Sequence, residues 1–210
     1  MRAPSETSTL RVVNFGCGNM AADWCLNIDG SLTVLMARLP IPARLFGSRR
    51  QFVNAVRSNG IKWCTARRLK LKPGSIDGFY ASHVLEHLSR RDATSLLTRV
   101  LLWLRPGGVL RLVLPDLRQA AGLYTKRDMS GDQFVKSTHL AIDSLPWWSV
   151  VFGHSYHRWM YDSDSIVEVL AQIGYNDIEV CSFGASRLAP LGSLDIEARR
   201  EESLYVEGKR

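Results

Sequence analysis

The run Leu10-Arg-Val-Val-Asn-Phe15 is apolar and β-branched, and it stops at the turn Gly16-Cys-Gly18. Glycines supply turn angles closed to other residues, so the segment reads as a buried strand feeding a tight turn. A strand buried on both faces needs helices above and below it, and the chain supplies them in alternation. Trp24 to Ile28 is a second short strand ending at Asp29-Gly30. From Arg49 to Ser58, Phe52, Val53 and Val56 fall at helical spacing, and Asn59-Gly60 closes that helix. Ile61 to Thr65 and Ser75 to Ser82 are strands, the latter followed by a turn or short helix over Val84 to Leu88.

From Arg91 to Leu104, the residues Leu96, Leu97, Val100, Leu101 and Leu104 recur at three and four, a helix stopped by Pro106-Gly107-Gly108. Val109 to Leu114 is a near-continuous apolar strand. Asp162-Ser-Asp-Ser165 caps a helix whose apolar face is Ile166, Val169, Leu170 and Ile173, Gly174 ends it, and strands follow at Ile178 to Phe183 and Leu204 to Glu207. The pattern predicts an α/β fold, doubly wound, with a mostly parallel seven-stranded sheet. Residues 116–160 break the alternation with a helical insertion after strand five, rich in aromatics (Tyr124, Phe134, Trp147, Trp148, Phe152, Tyr156, Trp159) and suited to substrate recognition. The paired Trp147 and Trp148 read either as stacking surface for a sugar or aromatic ring or as the insertion's small core.

With 210 residues and 46% hydrophobic content, the length fits one domain over 1–210. The polar opening and the lack of any apolar run near ~18 residues predict a soluble, cytoplasmic protein without a membrane span. Cys17, Cys25, Cys64 and Cys181 form no CxxC pair and read as buried free thiols. No cluster of His, Cys or carboxylates has metal-ligand spacing along the chain, so no metal is expected. The net charge of +7 is densest from Arg44 to Lys72. A solvated helix face with a basic loop accounts for it, and so does attraction to phosphate or nucleic acid.

In open α/β sheets, ligands bind beyond the carboxyl ends of the strands, where glycines admit the ligand to the backbone and an acid ending strand two holds a ribose. Gly16, Gly18 and Asp29 stand at those places. Together with Ser75-Ile-Asp-Gly-Phe-Tyr-Ala-Ser-His-Val-Leu-Glu-His87, Leu104-Arg-Pro-Gly-Gly-Val-Leu-Arg111, Leu114-Pro-Asp116, Gly153-His154 and Trp159-Met-Tyr-Asp162, they resemble the class I, Rossmann-like methyltransferases that use S-adenosylmethionine (SAM). The resemblance implies that backbone near Gly16, Cys17 and Gly18 lies against the methionine part of SAM, that Asp29 takes the ribose hydroxyls, and that Ser82 and His83 close over the cofactor. Thr65 departs from the family, which usually has an acid there beside the adenine amino group; a hydroxyl accepts that bond more weakly. His87, on the first turn of a helix, reads as packing and is given no role.

An O-methyl acceptor needs a base for its proton, and a histidine suits the task. His154 is the candidate, against a structural or substrate-orienting role. Asp116 either orients that histidine or binds substrate, or it caps a helix after Pro115. The resemblance implies a small-molecule or saccharide (glycan-like) acceptor, with O-methylation preferred. Two other readings stay open: an RNA or polyanion methyltransferase, disfavoured because neither an Asn-Pro-Pro-Tyr-like tetrad nor an appended nucleic-acid-binding module is found, and a non-catalytic partner subunit with this fold.

Overall fold

The computed structural model describes residues 10–139 and 156–210. Seven strands form one sheet: β1 (Val12–Phe15), β2 (Leu26–Asp29), β3 (Lys62–Trp63), β4 (Ile76–Ser82), β5 (Leu104–Pro115), β6 (Asn176–Cys181) and β7 (Ser203–Lys209). Their order is β3-β2-β1-β4-β5-β7-β6. The chain runs outward from β1 to β3, then returns to place β4 on the other side of β1, both pairings parallel. The strand order therefore switches between β1 and β4, the place where open α/β sheets take ligands. The sheet is mostly parallel, as expected. β7 alone is reversed, sitting antiparallel between β5 and β6.

Side chains alternate across the sheet because successive strand residues face opposite ways. Val13, Phe15, Phe79, Ala81, Leu110, Leu112 and Leu114 join one large core cluster. It includes Leu96, Leu97 and Val100 of α3 (Arg90–Trp103) and Ile166 and Leu170 of α6 (Ser163–Ile173). Val12, Tyr80, Val109 and Val113 form a second cluster with Leu191 of α7 (Ala189–Gly192). A third gathers Cys17 and Ile61 with Val34 and Ala37 of α1 (Leu32–Ala37) and Val53 and Val56 of α2 (Arg50–Ser58).

Caps fix where several helices begin and end. The Ser89 hydroxyl accepts the Asp92 N–H at 3.1 Å to start α3. Asp162 and Ser165 form a reciprocal capping box for α6, which Gly174 ends at φ +105. Some boundaries differ from the sequence reading. β3 is only two residues long, since the Thr65 carbonyl already accepts the N–H groups of Arg68 and Leu69 in a turn. The helix expected to include Leu104 ends at Trp103, and β5 absorbs Leu104 to Gly108 through a register shift opposite Ile76 and Gly78. β6 starts at Asn176, two residues early, with a second irregularity before Glu179. Three of the four cysteines are half-buried; only Cys17 is fully so.

After β5 the chain enters the helical insertion through α4 (Leu117–Thr125) and α5 (Gly131–Ser137), joined by stacked rings of Tyr124 and Phe134 with centroids 5.2 Å apart. Its exit returns to its entry: Asp116 bridges Tyr161, and the Leu117 N–H donates to the Tyr161 carbonyl at 2.9 Å. Trp147, Trp148, Phe152 and His154 lie outside the described residues.

Candidate active site

The turn after β1 depends on glycine for two reasons. Gly16 adopts φ +75, and a Cβ there would stand 2.1 Å from Cγ2 of Val84. Only a hydrogen lets the segment after β4 lie directly on the turn. Gly18, at φ +56, meets nothing within 4 Å of the place a Cβ would take, so its backbone borders open space. Asp29, buried at the end of β2, fastens this turn: its Oδ2 accepts the Gly18 N–H at 2.8 Å and its Oδ1 the Ser31 N–H at 2.7 Å. A carboxylate offers about four lone-pair positions, so each oxygen keeps capacity for a ligand hydroxyl. Gly30 brings the opposite wall close, since a Cβ there would be 2.9 Å from Cα of Thr65.

These elements enclose a cleft of 470 Å³, within the range that holds cofactors and small ligands. Phe15, Gly16, Asp29 and Ser31 line it from the ends of β1 and β2, and Thr65, Ala66 and Arg67 from the turn after β3. His83, Val84, His87 and Leu88 contribute from the turn after β4, with Asp92 from α3 and Arg158 from the end of the insertion. Arg67 and Asp92 form a two-pronged pair at 3.0 and 2.8 Å, and the Arg67 bonds, then that of Ser89, hold the Asp92 carboxyl below its ordinary range.

Of the residues singled out in the sequence, Gly16, Asp29, Thr65 and His83 are brought together here. Gly18 acts one step back, through Asp29. Cys17 turns its side chain into the third core cluster, where burial pushes the thiol up to about 12, so only its backbone belongs to the turn. Ser82 is buried at the end of β4 and does not line the cleft. Asp116 lies outside the cleft lining and caps α4, its Oδ1 accepting the N–H groups of Arg118 and Gln119 at 2.9 and 3.3 Å.

Several cleft residues were not foreseen. Val84 follows from the tight fit on Gly16, and His87, read as packing, lines the cleft. Arg158 carried no local sequence signal. Glu86, quoted in the sequence only as part of a longer motif and given no role, stands behind the lining with its side chain fully buried and neither oxygen hydrogen-bonded to another residue. Burial lifts its carboxyl to about 8. Around it stand His83 with Nδ1 at 3.4 Å, His87 with Nε2 at 4.0 Å, and His157. Burial, then the neighbouring Arg199 and histidines, pushes His83 down to about 3, and burial followed by His87 and His139 pushes His157 down to about 4. Both are neutral imidazoles at pH 7. His83 also adopts φ +52, a left-handed angle uncommon outside glycine, while its N–H bonds the Val113 carbonyl and its Nε2 pairs with Ser203 Oγ at 2.9 Å.

No protein-family model and no curated protein sequence matches the chain. Solved structures do. A SAM-dependent methyltransferase from Mesorhizobium loti superposes with a TM-score of 0.53 at 21% identity, covering 99% of this chain and 94% of the other. One from Thermotoga maritima gives 0.54 at 13% identity over 95% and 81%. Phosphoethanolamine N-methyltransferase 2 of Haemonchus contortus, solved with SAM, gives 0.50 at 13% identity over 96% of this chain and 48% of that one. The chain has the class I SAM-dependent methyltransferase fold. Within that fold the cleft lies at the switch between β1 and β4, and its residues suit SAM: a glycine turn bordering open space, a buried carboxylate with spare lone pairs, and apolar walls at Phe15, Ala66 and Leu88.

Proposed function

We propose that this protein is a SAM-dependent methyltransferase acting on a small-molecule or glycan-like acceptor, with oxygen as the methylated atom. One observation carries the reading: the turn at Gly16, the Asp29 carboxylate, Thr65 and His83 converge on one cleft in a fold whose solved members include SAM-bound enzymes. SAM, when bound, supplies an activated methyl group on a sulfonium. Asp29 would receive the ribose hydroxyls, the backbone at Gly16 and Gly18 the methionine portion, and the Thr65 hydroxyl the adenine amino group. In-line methyl transfer depends mainly on positioning, so the chain's task is to hold the acceptor oxygen in place, exclude water and accept its proton. His154 is the proposed base. Asp116 is proposed to orient it or the acceptor, since both cap bonds fall on Oδ1 and leave Oδ2 to that role.

Titration calorimetry with SAM and S-adenosylhomocysteine tests the cofactor assignment, with roughly micromolar binding expected for both. Binding of neither would remove it. Turnover of any acceptor would exclude the non-catalytic reading. For His154→Ala, unchanged SAM affinity with transfer ~10²–10⁴-fold slower is expected; near-normal turnover would demote it. The polyanion reading is weakened by how the basic stretch is used: Arg57 bonds the carbonyls of Ala37, Leu39 and Ile41, and Arg67 is paired with Asp92. Salt-sensitive oligonucleotide binding would revive it.

A further inference from the structure

We propose that Glu86, His87 and His157 form a binding site for one divalent transition-metal ion of the zinc class. One ligand atom from each lies within 4.8 Å of the others. All four histidines among the described residues gather here, since His83 faces the same carboxyl group and the His139 ring stands 5.0 Å from that of His157. Such crowding has no packing rationale: imidazoles and a carboxylate are poor core material, and a buried polar group without a hydrogen-bond partner calls for a specific cause. The Glu86 carboxyl group, fully buried, with neither oxygen hydrogen-bonded to another residue and His83 Nδ1 near it at 3.4 Å, is such a group. A cation between it and the two imidazoles satisfies it.

The donor set selects the kind of ion. Two imidazole nitrogens and one carboxylate oxygen suit zinc, cobalt, manganese or iron, whereas calcium and magnesium favour all-oxygen shells and no thiolate is near enough to favour a soft ion. Metal–ligand distances of about 2.0–2.2 Å ask the three donors to close in by roughly an ångström, which side-chain rotation can supply. The outer contacts are also in place. His87 Nδ1 pairs with the Tyr156 carbonyl at 3.0 Å, which fixes Nδ1–H as donor and turns Nε2 toward Glu86. His157 Nδ1 lies 3.1 Å from Met160 Sδ. Glu86 and His87 follow β4 and His157 belongs to the returning end of the insertion, so a metal would clamp the insertion to the turn that closes the cleft. The site adjoins the cleft, since His87 lines both, and its test reads metal binding without any ligand in the cleft.

The test uses the full chain, stripped with a chelator and titrated with Zn²⁺ and Co²⁺. The expected result is one equivalent bound, a visible ligand-field spectrum for the cobalt form, and a melting temperature raised by metal. Glu86→Gln and His157→Asn should each lose that rise and weaken binding by at least tenfold while circular dichroism shows them folded. X-ray absorption of the zinc-loaded wild type needs no variant and should show at least two imidazoles with an oxygen. No stoichiometric binding to the wild type, equal binding by folded variants, or a shell lacking imidazole would overturn the proposal.

Discussion

Asp29 carries two structural bonds as well as its proposed ligand role, so its removal has two separable consequences. Asp29→Ala is expected to weaken SAM by ~1.5–3 kcal/mol through loss of charge-assisted bonds. It should also lower stability by about 1–3 kcal/mol, because the Gly18 and Ser31 N–H groups lose their acceptor. Calorimetry reads the first and urea unfolding the second; unchanged SAM affinity in a folded variant would refute the ribose assignment. Gly16→Ala meets both an unfavourable φ and the Val84 methyl. It should destabilise by roughly 1–3 kcal/mol, with Val84→Ala recovering the steric part but not the strain. A double-mutant cycle showing no coupling would contradict the contact. Gly16 and Asp29 were legible because their signal is local, a strand ending in a special residue. Glu86 was not: burial without a partner is a property of the fold, and adjacent Glu and His letters look the same on a solvated helix.

The capping box of α6 makes a prediction at the scale of one helix. The hydroxyl and backbone bonds of Ser165, with further help from Arg118, hold the Asp162 carboxyl below its usual value of 3.8. A folded value below the unfolded one means the contribution is complete above that ordinary value and is lost as pH falls through the lower folded value. Asp162→Ala should therefore cost ~1 kcal/mol at neutral pH. Its difference from wild type should shrink as the pH falls below the ordinary value of 3.8 and through the lower folded one. Urea midpoints across pH 2–7 check this, and a difference that stays constant would assign the loss to something other than the charge. Elements were read well from periodicity, and the α6 cap, its Gly174 stop and the α3 face all lie where spacing placed them. Their edges were harder. β3 is cut short by a turn that competes for its residues, and β5 extends back to Leu104 across an irregular stretch at Pro106 and Gly107 that β4 skips, with the Gly107 N–H bonded instead to the Arg210 carbonyl. The insertion's break in pattern was visible, but the return of Arg158 and His157 to the turn after β4 was not, since no periodicity encodes a contact between distant segments.

Across the whole molecule, one residue ties β5 to β7 and to the segment that joins β6 to β7. Arg111 occupies the middle of an apolar strand and is fully buried, bonded to Asp195 and Glu207 and to the carbonyls of Ser182 and Ala185. Arg111→Met should cost about 3–5 kcal/mol, because two buried carboxylates lose their counter-charge. Replacing Asp195 and Glu207 in the same chain by Asn and Gln should recover part of it. Thermal unfolding would reveal the role as decorative if the single variant melted like wild type.

The reversed strand also sets a timetable for synthesis. β5 leaves the ribosome with one edge open and a guanidinium in its middle, and the strand that covers both is made much later, with Glu207 lying 96 residues beyond Arg111. Until β7 arrives, the nascent chain presents an unpaired edge, the template on which sheets of different molecules join. A cationic side chain in that strand disfavours pairing with a second copy of the same strand, so the arginine that later enters the ion pair first guards the unfinished sheet.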